Sequence, residues 1–165
     1  MNRTCIIVAD AKIARFYGVE ETESPRVKMK LVERTVLANP NSDLKTLGKS
    51  VTGRPRTETN TNRQAGPMHP MGAQRERHRG EFDRRFVREI ARQAGGITKG
   101  WKDGTVVLVA DPRLLGLMRE PLRKAMKPGI VLKELAKDYA HLTASELHDH
   151  LALSGVLPAR HGGAR

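Results

Sequence analysis

Arginine and lysine side chains are concentrated in the middle of this 165-residue chain. From Lys49 to Lys102 there are thirteen of them against five acidic residues, so the segment carries +8 of the chain's net charge of +12. Arginine pairs with phosphate through two parallel hydrogen bonds and stacks on planar groups. The segment therefore favours a polyanionic partner. Its candidate RNA-binding residues are Arg63, Arg75, Arg77, Arg79, Arg84, Arg85, Arg88 and Arg92.

Composition alone leaves the nature of the polyanion open. Nucleic acid is the first expectation and an anionic membrane surface is the second. Aromatic residues make up only 4% of the chain and Trp101 is its single tryptophan, so stacking on bases is limited. We therefore expect recognition of backbone and shape rather than of base sequence. The alternative without such a partner is a solvated, charged helix face beside a disordered loop.

Two aspartates, Asp10 and Asp111, each follow an apolar run that predicts a buried strand. The carboxyl ends of strands in such sheets face the usual ligand crevice, where two carboxylates can hold Mg²⁺ in a ribonuclease-H-like nuclease. Such a site normally needs further acids close by. We favour a turn residue for Asp10 and a helix N-cap for Asp111, and keep the nuclease as an alternative.

The remaining reactive side chains match no motif for a metal or a cofactor. The six histidines lack the Cys/His spacing of a structural zinc site, and we expect them at the surface. A phosphate-binding Gly-x-x-x-x-Gly-Lys-Ser/Thr loop and a Gly-x-Ser-x-Gly motif are absent from the sequence. Cys5 lies in an apolar run and is predicted to be a buried small hydrophobe. We predict no cofactor and no metal.

Three predicted strands open the chain, at residues 5–8, 13–19 and 27–37. The first is continuously apolar, as expected for a central strand that is covered on both faces. The third alternates apolar and lysine side chains, which is typical of a strand with one solvated face. Short turns separate the three runs, so we expect an antiparallel meander.

A long segment without hydrophobic period follows, and we predict a flexible basic loop over residues 39–80. A helix is predicted to begin between Arg75 and Glu81 and to end at the glycine pair Gly95 and Gly96. Its apolar stripe consists of Phe82, Phe86, Val87 and Ile90. Arg84, Arg85, Arg88 and Arg92 lie largely off that stripe.

The rest of the chain predicts a strand at 105–110, a helix with Asp111 as N-cap, a strand at 130–134 and a last helix from Thr143. The order is β-β-β-loop-α-β-α-β-α, an α/β domain with a mixed sheet. Buried strands separated by a helix predict parallel neighbours, an arrangement similar to ribonuclease-H-like folds. We expect one domain over residues 1–155 and a frayed tail over 156–165.

The sequence also bears on location. No stretch approaches the ~18 apolar residues that a membrane helix needs, so no transmembrane segment is predicted. The opening MNRTCIIVAD lacks the length and cleavage site of a secretory signal. One cysteine excludes an internal disulfide and fits a reducing compartment. We therefore expect a cytoplasmic protein.

Blocks spread along the chain resemble the bacterial host attachment protein family. They are IIVADAKIARFYGV, LVERTVLANPNSDLKTLGKSVTGRPRT, FVREIARQ, TVVLVADPRLLGLMREPL and LAKDYAHLTASELHDHL, in the order of that family. The family's name records an attachment role. This resemblance implies a host-cell attachment protein, and the net positive charge of the chain favours an anionic ligand at the cell surface, a polysaccharide or lipid headgroups.

A second resemblance covers MGAQRERHRGEFDRRF. It is similar to the Gly-Gly-Gln segment in the middle domain of eukaryotic and archaeal peptide-chain release factors, where a long loop leads into a basic helix. This resemblance implies a loop tip at Gly72, Ala73 and Gln74, with Gln74 as the catalytic residue of a peptidyl-tRNA ester hydrolase. Ala73 departs from the pattern, since glycine there permits backbone angles that a Cβ disfavours by about 1 kcal/mol or more.

We therefore expect an RNA- or ribosome-binding factor of release-factor-like type, with ribosomal RNA or tRNA as partner and hydrolysis as a further activity. A host-cell attachment protein that binds an anionic surface ligand is the alternative. A Mg²⁺-dependent nuclease with Asp10 and Asp111 is the second alternative.

Overall fold

The computed structural model describes residues 3–23, 25–26, 29–40 and 68–160, with the side chains of 68–82 outside that description. Five strands and three helices lie within these ranges. The strands are β1 (Thr4–Ala9), β2 (Ile13–Glu21), β3 (Met29–Ala38), β4 (Gly104–Ala110) and β5 (Ile130–Ala136). The helices are α1 (Met68–Thr98), α2 (Pro112–Ala125) and α3 (Ala144–Leu153).

The strands form one mixed sheet in the order β3-β2-β1-β4-β5. β1 and β2 pair antiparallel, as do β2 and β3, whereas β4 pairs parallel with both β1 and β5. The predicted α/β class, the meander and the parallel half of the sheet are confirmed. The central position of β1 and β4 explains their continuous apolar runs, because both of their faces must be covered.

Two apolar layers cover the sheet. On one face, Cys5, Ile7 and Ala9 of β1 pack with α1 and α2. On the other face, Ile6 and Val8 pack with α3 and with the chain that follows it. Alternate residues of a strand point to opposite faces, so one short apolar run serves both layers.

The first helix begins at Met68 and not between Arg75 and Glu81 as predicted. Residues 68–80, expected to belong to the basic loop, have helical backbone instead. Pro70, which favoured a loop, lies at the third helical position. The first four N–H groups of a helix have no partner within it, so proline removes no hydrogen bond there.

The glycine pair Gly95 and Gly96 does not end this helix, which continues to Thr98. A Cβ added at Gly95 would lie 3.1 Å from the carbonyl oxygen of Ala125 in α2. The glycine therefore serves a close approach of two helices rather than a C-cap. Thr98 donates its hydroxyl proton to the carbonyl of Ala94 at 2.9 Å in the last turn.

The chain after α3 is not frayed from residue 156 as predicted. Leu157 is buried and belongs to the second apolar layer. The carbonyl of Arg160 accepts a hydrogen bond from the N–H of Met29 at 3.3 Å. Burial of an apolar side chain offsets the entropy cost of ordering this segment. Residues 161–165 lie outside the described residues.

Both predicted helix caps are confirmed. Asp111 accepts a hydrogen bond from the N–H of Leu114 at 2.9 Å. Thr143 and Glu146 form a reciprocal capping box at the start of α3. These hydrogen bonds from Thr143, first from its backbone N–H and then from its hydroxyl, lower the pKa of Glu146 below its ordinary value of 4.5.

The capping box gives the stability of α3 a pH dependence. Because the folded state lowers the pKa of Glu146, its contribution is present above about pH 4.5 and is lost as pH falls through the lowered value. We expect Glu146→Ala to lower the urea midpoint at about pH 7 and to differ little from the unmodified protein at about pH 3. An equal difference at both pH values would contradict this role.

Candidate polyanion-binding surface

The part of helix α1 whose side chains are described presents four arginines on the face opposite the core. Three residues of the predicted stripe, Phe86, Val87 and Ile90, are buried against the sheet, and the side chain of the fourth, Phe82, lies outside the description. The exposed side of the same turns carries Arg84, Arg85, Arg88 and Arg92. The hydrophobic period therefore fixes the arginine face, since burial of the stripe leaves these four side chains in solvent.

A groove of about 570 Å³ runs between the exposed sides of α1 and α2. We call it the cationic groove. Arg84, Arg88 and Arg92 line one side, and Lys124 lines the other, with Glu120 as the one acidic residue of the lining. Its floor is aliphatic. Four cationic groups and one acidic group thus face the same volume.

The cationic side chains of the groove form only weak ion pairs within the protein. Arg92 contacts Glu89 in its own helix at 2.5 Å, and Lys124 lies 4.0 Å from Glu120. Exposed ion pairs of this kind contribute about 0–1 kcal/mol, so an anionic ligand can compete for them. Arg84 and Arg88 have no acidic partner among the side chains that the structure describes.

An ion pair between an exposed arginine and a buried aspartate joins the two helices that form the groove. Nη1 of Arg113 in α2 lies 2.9 Å from Oδ2 of Asp83 in α1, without the alignment of a hydrogen bond. Asp83 is 2% exposed. Sequence reasoning missed this residue, although it lies three and four positions before the stripe residues Phe86 and Val87. A charged residue in register with a buried stripe is the pattern that identifies it.

The other predicted RNA-binding residues are placed differently. Arg85 is exposed on α1 but does not line the groove. Arg75, Arg77 and Arg79 lie on the helical backbone of α1, with side chains outside the description. Arg63 lies outside the described residues.

The predicted loop tip Gly72, Ala73 and Gln74 is corrected by the backbone of α1. All three residues lie inside this helix rather than at the end of a loop. Pro70 is tolerated in the first turn of the helix, and the arginines that directly follow the tripeptide favour helical backbone. The side chain of Gln74 is outside the description, so its catalytic role stays a prediction.

Asp10 and Asp111 each serve the backbone of their own segment. The Oδ1 atom of Asp10 accepts hydrogen bonds from the N–H groups of Lys12 and Ile13 at 2.7 and 2.8 Å. Asp111 caps α2. Within the described ranges, no group of three or more His, Cys, Asp or Glu side chains is arranged to hold a metal ion. The turn and cap roles favoured from the sequence are confirmed.

The cap role of Asp111 predicts a contrast between two substitutions. Asparagine caps a helix about as well as aspartate, whereas alanine at an N-cap costs about 1 kcal/mol. We expect Asp111→Ala to lower the free energy of unfolding by about that amount and Asp111→Asn by at most a few tenths. Urea unfolding measures both, and equal losses would show that the carboxylate has another role.

Cys5 and His148 are buried away from the groove. Burial raises the pKa of the Cys5 thiol to about 12, so it stays neutral as the predicted small hydrophobe. His148 is fully buried in α3, and its Nε2 lies 2.9 Å from the carbonyl oxygen of Pro158. The expectation that the histidines lie at the surface is therefore wrong for His148, whose ring anchors the chain after α3.

No helix among the described residues is both long enough and apolar enough to cross a membrane. The predicted cytoplasmic location and the partners stay predictions.

Comparison with known proteins identifies a family. No curated protein matches the chain significantly. A family profile described as "protein required for attachment to host cells" matches residues 5–151. This range includes β1 to β5, α1 with the cationic groove, and most of α3. The similarity to release factors stays a prediction. The chain belongs to the host attachment protein family.

Proposed function

We propose that this protein contributes to attachment to host cells by binding an anionic surface polymer along the cationic groove. The observation that carries the proposal is the row of Arg84, Arg88 and Arg92 facing Lys124 across one groove. The description of the family supports attachment as the process. The groove supplies a physical means for it.

The spacing of the row suits a polymer better than a single small anion. Residues four apart on a helix are displaced by about 6 Å along its axis, so the three arginines span about 12 Å. A chain with anionic groups at intervals of several ångströms meets all three at once. The aliphatic floor between the two helices accommodates the uncharged part of each unit.

Several weak contacts acting together give this site its affinity. Each exposed charge pair contributes about 1 kcal/mol or less, so one pair alone binds nothing usefully. Once one anionic group of a polymer is bound, the next groups bind without a further loss of translational entropy. The affinity therefore rises steeply with the number of charge pairs formed. This mode of binding also predicts weakening by salt, which screens exposed charges.

The test of function is an attachment assay with cells that lack the protein and are complemented with variants. We expect the triple variant Arg84→Gln, Arg88→Gln, Arg92→Gln to leave attachment at the level of cells without the protein. The control variant Lys30→Gln, Lys133→Gln, Lys137→Gln removes the same charge from exposed positions away from the groove. Normal attachment by the groove variant would overturn the proposal.

Location provides a second test. The proposed role requires the groove to face the outside of the cell, so fractionation is expected to place a part of the protein at the surface. The sequence predicts a cytoplasmic protein. Complete retention inside the cell would contradict attachment by direct contact.

RNA or ribosome binding is the second candidate function. The observation in its favour is that three of the four groove cations are arginines, whose planar fork fits phosphate in two-pronged fashion. The test is co-sedimentation with ribosomes at two salt concentrations, where binding through several arginines weakens steeply as salt rises. Absence of association at low salt would reject this candidate.

Peptidyl-tRNA hydrolysis is a separate part of the second candidate. It rests on the resemblance of residues 72–74 to a release-factor loop, and these residues are helical here. Peptide release that is equally fast with Gln74→Ala and with the unmodified protein would show that Gln74 has no catalytic role.

A further inference from the structure

We infer that a second pocket, beside the C-terminal end of α1, binds a small planar monoanion of the aromatic carboxylate class. The pocket has a volume of about 220 Å³ and shares no lining residue with the cationic groove. The lining residues that carry the argument are Arg3, Arg34, Trp101, Ile97, Cys5 and Phe16. We call it the Trp101 pocket. This inference does not depend on the proposed attachment role.

One wall of the pocket is an indole ring held in place by its own turn. The backbone N–H of Trp101 donates a hydrogen bond to the carbonyl of Thr98 at 2.9 Å, which fixes the backbone after α1. A Cβ added at Gly104 would lie 2.7 Å from Cε3 of Trp101, so the ring packs directly on the backbone there. A ring seated in this way presents a flat surface without reorganisation.

The first cation of the pocket is tied to the same turn. Nη1 of Arg3 donates to the carbonyl of Gly100 at 3.4 Å, and the carbonyl of Arg3 accepts from the N–H of Thr105 at 2.8 Å. Arg3 has no acidic partner among the described residues. Most of its guanidinium donors are therefore available to an anion.

The second cation reaches the pocket because of an irregularity in the sheet. Phe16 pairs with Thr35 and Tyr17 with Glu33, so Arg34 is the extra residue of a β-bulge. Bulges re-aim a side chain relative to the regular alternation. The guanidinium of Arg34 also pairs with Glu20, so its charge is largely balanced.

These charges and the floor define the ligand. One unpaired arginine and one balanced arginine leave about one positive charge, which suits a monoanion. The floor at Cys5 and Phe16 is apolar, and the Cys5 thiol stays neutral because burial raises its pKa to about 12. The volume is smaller than the ~300–1,000 Å³ of pockets for larger ligands, which favours one ring with one carboxylate.

The test follows the single indole N–H signal of Trp101 by NMR during titration of the full-length protein. Three probes are compared: benzoate, its neutral counterpart benzamide, and the non-planar cyclohexanecarboxylate. We expect a saturable shift with benzoate, and affinities at least tenfold weaker for each of the other two. Lack of a saturable shift with benzoate, or equal affinity for benzamide, would overturn the inference.

Variants separate the pocket from non-specific attraction to a basic protein. We expect Arg3→Gln to weaken benzoate binding at least fivefold. Lys137→Gln removes the same charge at an exposed position away from the pocket and is expected to leave the affinity unchanged. Equal losses in the two variants would mean that net charge alone attracts benzoate, and would contradict a built site.

Discussion

Replacement of Arg84, Arg88 and Arg92 together by glutamine is expected to weaken binding to an acidic polysaccharide about 100-fold. Each arginine offers a charge-assisted contact that contributes about 1 kcal/mol at an exposed site, and a sum of about 3 kcal/mol corresponds to that factor. Glutamine has a helix propensity close to that of arginine and these positions are exposed, so the fold of α1 is retained. Titration calorimetry at an ionic strength of about 0.1 M measures the change.

The control for this experiment is a variant with the same net charge. Lys30→Gln, Lys133→Gln and Lys137→Gln remove three positive charges from exposed positions in β3, in β5 and directly after β5. We expect these changes together to weaken binding less than about threefold, because screened charges beyond a Debye length of ~10 Å contribute little. Equal losses in the two triple variants would show that the groove is not the binding site.

Gly129→Ala is expected to lower the free energy of unfolding by about 3 kcal/mol. A Cβ at this position would lie 2.3 Å from the carbonyl oxygen of Lys102, so the backbone between α2 and β5 must move away from the turn before β4. Overpacking that displaces the backbone costs about 1–3 kcal/mol or more. Urea unfolding followed by circular dichroism measures the loss.

Gly116→Ala is the matched control. Gly116 lies in α2, is exposed, and has nothing within 4 Å of an added Cβ. Alanine in a helix interior is favoured over glycine by about 0.5–1 kcal/mol, so we expect this variant to gain stability. A similar loss in both glycine variants would contradict the steric explanation for Gly129.

The local parts of the fold could be predicted from the sequence because each has a short-range cause. β1 and β4 are continuous apolar runs, which only a central strand with two covered faces explains. The caps at Asp111 and Thr143 bind N–H groups within three residues, so their pattern is visible in the sequence itself.

The features that could not be predicted depend on contacts between distant parts of the chain. Gly95 appeared to be a helix stop, but its role is set by Ala125 of α2. Leu157 appeared to belong to a tail, but it is buried because it packs against side chains of α3 and of the sheet. Neither partner lies near its counterpart in the sequence.

The candidate site could be predicted in part. The hydrophobic stripe of α1 predicted that four arginines, Arg84, Arg85, Arg88 and Arg92, lie off the buried side, and all four are exposed. The stripe did not predict that Arg85 lies outside the groove. The arginines of α1 and Lys124 face the same groove only because α2 packs beside α1, and this packing could not be predicted from the sequence. The prediction of a loop at residues 72–74 was wrong. Gly72 and Pro70 favoured a loop, but both residues are compatible with the first turns of a helix.

The central claim is that the cationic groove binds an anionic polymer of the cell surface. Its most direct measurement compares the binding of the purified protein to an acidic polysaccharide, to the same polysaccharide with its charges removed, and to a single-stranded RNA of equal charge. We expect salt-sensitive binding to the acidic polysaccharide, none to the neutral form, and no preference for RNA. Absence of binding to the acidic polysaccharide at low salt, or binding to RNA at least tenfold tighter, would contradict the claim.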